Sequence, residues 1–157
     1  SEDLVSGGVV MGNLDELFLS KIFSHHKPDL IIGDAPEAIV SVSKEVGLYD
    51  HHIFNYFGNG RNRFFDTYIL GSDLLKKLTK AVNSMENFSN NNFISLRTMG
   101  ISFDINYGDE KNTVVINKVN NKKFSATNNY KLVGWGDSFI NSKNGPFVDK
   151  IIISLFD

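Results

Sequence analysis

The sequence has 157 residues, 41% of them hydrophobic, and a formal net charge of −2 at pH 7. This length allows one domain with a buried core, and we predict a single domain over residues 1–157. The nearly neutral charge argues against nucleic-acid binding, which requires a basic face. The lack of cysteine excludes disulfides and zinc sites built from thiolates.

Neither a membrane span nor a signal peptide is expected from this sequence. No run of about eighteen apolar residues occurs. The opening SEDLVSGG lacks the basic and apolar regions of a signal peptide. The composition therefore leaves the compartment open.

Helical spacing of apolar residues occurs in two segments. The first covers residues 13–23, with Asn13 as a candidate N-cap, and the second covers residues 72–85, with Ser72 in the same role. Residues 35–46 fit either a short helix or a strand. We therefore predict two helices and leave residues 35–46 open.

The other apolar segments are predicted strands, because they are rich in β-branched and aromatic residues and are separated by Gly, Asn and Asp. Their ranges are 30–33, 52–57, 93–96, 101–107, 114–119, 130–135 and 150–156. Short strands at regular spacing favour a sandwich, barrel or prism over a parallel sheet. The pattern predicts an all-β fold with one or two helical insertions, and α+β or α/β is the alternative.

The segment GPFVD, residues 145–149, stands just before the last predicted strand. Gly145 allows close approach to its backbone, and a tight loop exposes N–H donors. Asp149 adds two acceptor oxygens, and Phe147 offers an apolar ring. Donors and a carboxylate on one rigid turn suit a sugar diol. The same residues also fit an ordinary turn whose aspartate caps it.

The C-terminal part of the sequence resembles jacalin-related lectins. That family has a Phe, then a strand of the form Leu-Val-Gly-aromatic-Gly, then Gly-x-x-x-Asp and a final apolar strand. The matching residues here are Phe124, Leu132-Val133-Gly134-Trp135-Gly136, Gly145-Pro146-Phe147-Val148-Asp149 and residues 151–155. The resemblance is best over residues 92–157.

This resemblance implies a β-prism, with three antiparallel Greek-key sheets around one core. It implies a lectin that binds a monosaccharide or glycan terminus of mannose, glucose or galactose type, without metal or cofactor and without enzymatic activity. The implied carbohydrate-binding residues are Asp149, Val148, Phe147 and Gly145, with Gly7 and Gly8 closing the site, and Trp135 is a further apolar contact. The implied setting is secreted or on the cell surface, as a homo-oligomer or as part of a larger toxin or surface protein.

Two alternatives stay open at this point. Pro146 has no N–H where the lectin loop donates one, which favours a β-prism that binds proteins instead of sugar. The segment containing Asp34 reads as strand, turn and helix, and Asp50-His51-His52 resembles the signature of DHH phosphoesterases. These two motifs favour a small α/β enzyme acting on a nucleotide-sugar or phosphoester substrate.

Overall fold

The computed structural model describes residues 2–7, 11–86, 96–141 and 143–157, with the backbone alone at residues 85 and 86. The helices in these ranges are α1 (Asn13–His26), α2 (Asp50–Phe57), α3 (Gly71–Glu86) and α4 (Val148–Phe156). The strands are β1 (Leu4–Val5), β2 (Leu30–Asp34), β3 (Ser41–Val42), β4 (Phe64–Leu70), β5 (Leu96–Met99), β6 (Ile101–Asn106), β7 (Thr113–Val119), β8 (Lys122–Lys123) and β9 (Asn129–Trp135).

A mixed four-stranded sheet forms the centre of the molecule, in the order β4-β9-β2-β5. The two middle strands, β2 and β9, are parallel, and each outer strand is antiparallel to its neighbour. Leu30, Ile31 and Ile32 are all fully buried, as expected for a strand that is covered on both faces. The sheet therefore has a packed layer on each side.

Alternate residues of the middle strands contribute to two separate cores, because successive side chains point to opposite faces. Ile31, Val133 and Trp135 pack with α1, α2 and α4. Ile32 and Leu132 pack with α3 and with the small antiparallel sheet β6-β7-β8. The sheet thus carries three helices and the two-stranded β1-β3 sheet on one face, and a helix with the β6-β7-β8 sheet on the other.

The two predicted helices are confirmed as α1 and α3. Residues 35–46 contain only the short strand β3, paired with β1. The sequence did not predict β4, although its burial alternates between the sheet faces. The predicted strand at residues 93–96 lies outside the described residues except for Leu96, which begins β5.

Two segments that were predicted as strands are helices. Residues 52–57 lie in α2, which buries Ile53 and Phe57, and residues 150–156 lie in α4, which buries Val148 and Ile152. In each helix the buried pair is four residues apart, which is helical spacing. Packing on the sheet therefore overrides the β propensity of these aromatic and β-branched residues.

The predicted β-prism is wrong. A prism needs three antiparallel sheets around one core, whereas this chain has a mixed sheet with a parallel pair and helices on both faces. The fold is α+β, the alternative that the sequence left open. The two helical segments are not insertions, because each is part of a layer that packs on the sheet. No helix in the described ranges is long and apolar enough to cross a membrane.

Candidate functional site

A polar cleft of about 470 Å³ opens beyond the carboxyl end of β2. Its walls are the loop that follows β2, one side of α2 and the turn after α2, and its lining includes Glu37, His51, His52, Asn55 and Arg61. Ligands of open α/β sheets commonly bind beyond the carboxyl ends of the strands. We call this space the β2 cleft and take it as the candidate site.

The floor of the β2 cleft rests on a buried polar network. Tyr56 lines the cleft, is 2% exposed and donates its hydroxyl hydrogen to Asp15. Arg97 donates from Nε to the same Asp15 oxygen at 3.0 Å. Burial, and then the negative charge of Asp15, raise the pKa of Tyr56 well above its usual range. The opposite charges of Asp15 and Arg97 compensate each other in an environment without water, so each side chain depends on the other to stay charged and buried.

Gly7, one of the predicted sugar-binding glycines, belongs to this network. Its N–H donates to Asp15 Oδ2 at 2.5 Å, and its carbonyl accepts from Arg97 Nη2 at 2.8 Å. The N–H of Gly12 donates to the same Asp15 oxygen at 2.8 Å. Gly8, the other predicted glycine, lies outside the described residues. The backbone of Gly7 is thus engaged by protein groups.

His51 and His52 stand side by side on the wall formed by α2. Their ring centroids are 4.0 Å apart, and His52 Nδ1 accepts the N–H of Tyr49 at 2.9 Å. Burial, and then the neighbouring His51, lower the pKa of His52. His52 is therefore a neutral acceptor at the first turn of α2, beside an exposed His51.

Asp34 ends β2 and is held by the turn that follows β9. Its carbonyl accepts the indole N–H of Trp135 at 2.8 Å, and its Oδ2 accepts the N–H of Asp137 at 3.3 Å. Gly136 has a φ of +91°, and a Cβ there would lie 2.2 Å from Asp34 Oδ2. Burial raises the pKa of Asp34, and hydrogen bonds from Ser138 and Asp137 to its carboxylate oppose part of this rise.

The rim of the β2 cleft carries one exposed ion pair. Arg61 Nη2 lies 3.4 Å from Glu37 Oε2, and the two side chains are 66% and 82% exposed. Arg61 Nε donates to the carbonyl of Gly58 at 2.8 Å, which orients the guanidinium. Because this pair is open to water, it contributes little to stability and leaves a cation at the mouth of the cleft.

The predicted sugar loop, residues 145–149, lies against β4 and the start of α4. Phe147 precedes α4 as its N-cap, and its ring centroid lies 3.7 Å from the guanidinium carbon of Arg63. The carbonyl of Gly145 accepts from Arg63 Nη1 at 3.0 Å. Val148 is fully buried in the core that contains α1 and α2. These contacts fasten the loop to the residue that precedes β4.

Asp149 and Trp135 are buried rather than facing solvent. Asp149 is 3% exposed in the first turn of α4, where its Oδ1 accepts the N–H of Lys150 at 2.9 Å. Trp135 is 1% exposed. The structure thus gives Asp149 a place at a helix start, where a negative charge is favourable. Gly7 and the loop at residues 145–149 belong to different sets of contacts.

The described ranges contain no group of three or more His, Asp or Glu side chains that could hold a metal ion. The lining of the β2 cleft is instead one cation, one carboxylate, two imidazoles and side-chain amides, mixed with apolar groups. Such a surface suits an organic ligand that has an anionic group.

No protein-family model and none of the curated proteins matches this sequence. Solved structures do match its fold. A 5′-nucleotidase precursor from Thermus thermophilus matches 98% of this chain with a TM-score of 0.66 and 14% identity. The sulfate thiohydrolase SoxB from the same species, solved with glycerol, matches 97% with a TM-score of 0.66 and 13% identity. The Haemophilus influenzae NAD nucleotidase NadN matches 89% with a TM-score of 0.52 and 14% identity.

These likenesses establish the fold. They also overturn the resemblance to jacalin-related lectins, because the matching structures are nucleotidases and a thiohydrolase and none of these is a β-prism lectin. The predicted carbohydrate-binding function and glycan partner are therefore wrong. The present chain spans 35%, 31% and 24% of the three matching chains.

Sequence reasoning found only part of the β2 cleft. Asp34 and the pair His51 and His52 were noted for the phosphoester alternative, and the structure brings the histidines together with the loop that follows Asp34. Glu37 and Arg61 were missed. The Gly/Asn sequence of residues 58–63 indicates a hairpin tip rather than a phosphate-binding loop, because no predicted helix directly follows it. The available signal was a cation in a Gly/Asn turn, which occurs in many loops.

Proposed function

We propose that this chain forms a single domain that binds a nucleotide phosphoester in the β2 cleft. The observation that carries the proposal is the likeness over 89–98% of the chain to a 5′-nucleotidase precursor, SoxB and an NAD nucleotidase. Two of these three proteins are nucleotidases by name, which favours a nucleotide over other anionic ligands.

The lining of the β2 cleft supports an anionic ligand. Arg61 offers a planar guanidinium at the mouth, and a phosphate binds such a group through two parallel hydrogen bonds. Glu37 Oε2 lies 3.4 Å from Arg61 Nη2, and both side chains are exposed to water. A phosphate can therefore displace the Glu37 carboxylate from the guanidinium. The amides of Asn55 and Asn62 and the ring of His51 also line the cleft, and they supply donors and acceptors for base and ribose groups.

Titration with a nucleotide and its nucleoside tests the proposal. Trp135 is the only tryptophan, and its indole hydrogen bond to Asp34 places the fluorescence signal at the end of β2. We expect adenosine 5′-monophosphate to bind more tightly than adenosine. Arg61→Gln should weaken the nucleotide about tenfold and leave adenosine unchanged, because only the phosphate contact is lost.

Lys44→Gln is the matched control, because it removes the same charge outside the β2 cleft. It should leave both affinities unchanged. Binding of neither compound at millimolar concentration would refute the proposal. Equal losses of nucleotide affinity in Arg61→Gln and Lys44→Gln would show that the overall charge of the protein, and not the β2 cleft, attracts the nucleotide.

A further inference from the structure

One edge of the central sheet is formed by β4, and half of the backbone groups of this strand point away from the sheet. The N–H of Gly136 donates to the carbonyl of Arg63 at 3.0 Å, and the N–H of Gly71 donates to the carbonyl of Asn128 at 2.8 Å. The backbone N–H and C=O groups of the odd-numbered positions of β4 therefore point towards β9. Successive backbone groups of a strand point to opposite sides. The N–H and C=O groups of Asp66 and Tyr68 therefore point outward, as does the N–H of Leu70, whose carbonyl stands at the start of α3.

The chain itself occupies one end of this edge. The N–H of Phe64 donates to the carbonyl of Pro146 at 2.8 Å, and the N–H of Val148 donates to the carbonyl of Asn62 at 3.0 Å. Pro146 has no N–H with which to continue the ladder, so the pairing stops there. At the other end, β4 finishes where α3 begins at Gly71. We call residues 66–70 the edge window.

A groove of about 800 Å³ runs beside the edge window, lined by β4, by Asp73 and Lys77 of α3, and by the loop that includes Ile140. Two apolar side chains of the window are unusually open, since Tyr68 is 67% and Leu70 42% exposed. An open edge of this kind is a template for another strand. The groove leaves room for that strand.

We propose that a second copy of this chain fills the edge window with its own β4, related by a two-fold axis at Tyr68. In this antiparallel register Tyr68 lies opposite Tyr68 of the second copy, and Asp66 lies opposite Leu70. The two Tyr68 residues exchange two main-chain hydrogen bonds, and each Asp66–Leu70 pair forms one, from the N–H of Leu70 to the carbonyl of Asp66, because the Leu70 carbonyl stands at the start of α3. The two central sheets join into one continuous sheet.

The second copy is favoured as the occupant because the window complements itself. A two-fold contact uses the same patch on both subunits, so the patch must tolerate its own inverted image. The register separates the two Asp66 carboxylates and pairs two aromatic rings, which stabilises adjacent strands. No like charges of the edge window meet directly in this arrangement.

Cysteine cross-linking of the whole chain tests the register, because the protein has no cysteine of its own. In Tyr68→Cys the two thiols stand on directly opposite residues, about 5.5 Å apart at Cα, which a disulfide can bridge. In the matched control Asp66→Cys the two thiols are four residues apart along the strands, about 13 Å, which is too far. We expect mild oxidation to convert most of Tyr68→Cys to a covalent dimer and to leave Asp66→Cys monomeric. A mixture of Asp66→Cys and Leu70→Cys should cross-link as a heterodimer.

Sedimentation velocity tests the same contact without covalent cross-linking. Tyr68→Pro removes an outward N–H and leaves the ladder to β9 intact, whereas Tyr68→Thr removes the ring and keeps the N–H. We expect the dimer dissociation constant to rise at least tenfold more in Tyr68→Pro than in Tyr68→Thr. A wild-type chain that stays monomeric at the highest concentration would overturn the proposal. So would cross-linking of Tyr68→Cys no faster than that of Asp66→Cys.

Discussion

An arginine lies beside a carboxylate at two depths around the β2 cleft, in the network beneath its floor and on its rim. Beneath the floor, Arg97 lies 3.0 Å from Asp15, in what we call the floor pair, and the two side chains are 2% and 0% exposed. On the rim, Arg61 lies 3.4 Å from Glu37, with side chains 66% and 82% exposed. The chemistry of the two pairs is the same, and the difference between them is their access to water.

This difference decides what each pair can do. The floor pair has lost its water, and Asp15 is compensated by hydrogen bonds from Tyr56, Gly7 and Gly12. Removing one member would leave a buried charge without its partner, so the pair is tied to folding. The rim pair keeps its water and is worth about 0–1 kcal/mol. A ligand can therefore exchange with Glu37 at little expense, but not with Asp15.

The largest effect is expected at the floor. Asp15→Asn removes the charge that compensates Arg97 and should lower the free energy of unfolding by about 3–5 kcal/mol. Urea denaturation measures this loss. The double variant Asp15→Leu with Arg97→Met removes both charges but leaves the Tyr56 hydroxyl and the N–H groups of Gly7 and Gly12 without their acceptor, so it should recover only part of the stability. A loss below about 1 kcal/mol in Asp15→Asn would place the floor pair in the same class as the rim pair.

A smaller, pH-dependent effect on the free energy of unfolding is expected at His52, on the side of the β2 cleft that α2 forms. The pKa of His52 is lower in the folded chain than its ordinary value of 6.5, so the folded state binds this proton less readily than the unfolded state. The stability from neutral His52 is present above pH 6.5 and is lost as the pH falls towards the folded pKa.

Urea denaturation between about pH 7.5 and pH 5 should show this loss. His52→Gln should reduce the slope of stability against pH. His26, whose pKa burial also lowers, will leave part of the slope in place. His51→Gln should reduce the slope less than His52→Gln, because it removes only the second cause of the shift. An unchanged slope in His52→Gln would contradict the assignment.

The smallest effect on stability is expected at the rim. Glu37→Gln should change the free energy of unfolding by less than about 1 kcal/mol, because the pair is exposed. It should also tighten binding of adenosine 5′-monophosphate, because it removes the carboxylate that competes for Arg61. Parallel urea and nucleotide titrations measure the two quantities. A large loss of stability would show that the rim pair is structural after all.

Individual secondary-structure elements, though not the fold class, were predictable from the sequence where a pattern was long or unambiguous. In the sixteen-residue helix α3, the described side chains Leu74, Leu78 and Val82 are buried at helical spacing, and the strand at residues 30–33 is wholly apolar. By contrast, α4 has only nine residues, and three of them are consecutive isoleucines. A run this short has the same pattern as a buried strand until its packing partners are known.

The candidate site was harder to predict, because its members come from separate segments that only the fold brings together. Glu37 and Arg61 lie in loops of ordinary composition, and Asp15 and Arg97 are 82 residues apart. The motif GPFVD was prominent, yet the start of α4 and its contact with Arg63 account for its residues. A local motif carries function only when the fold leaves it exposed.

Gly33 and Trp135 lie side by side on the parallel strands β2 and β9. A Cβ on Gly33 would lie 2.4 Å from the Trp135 ring, so the indole fills the space that any other residue would need. The two positions therefore form one packing unit, in which the Trp135 ring excludes a side chain at position 33. Among relatives of this chain, a larger residue at position 33 should accompany a smaller one at position 135. This covariation would mark the end of β2 in sequences too divergent to align by identity.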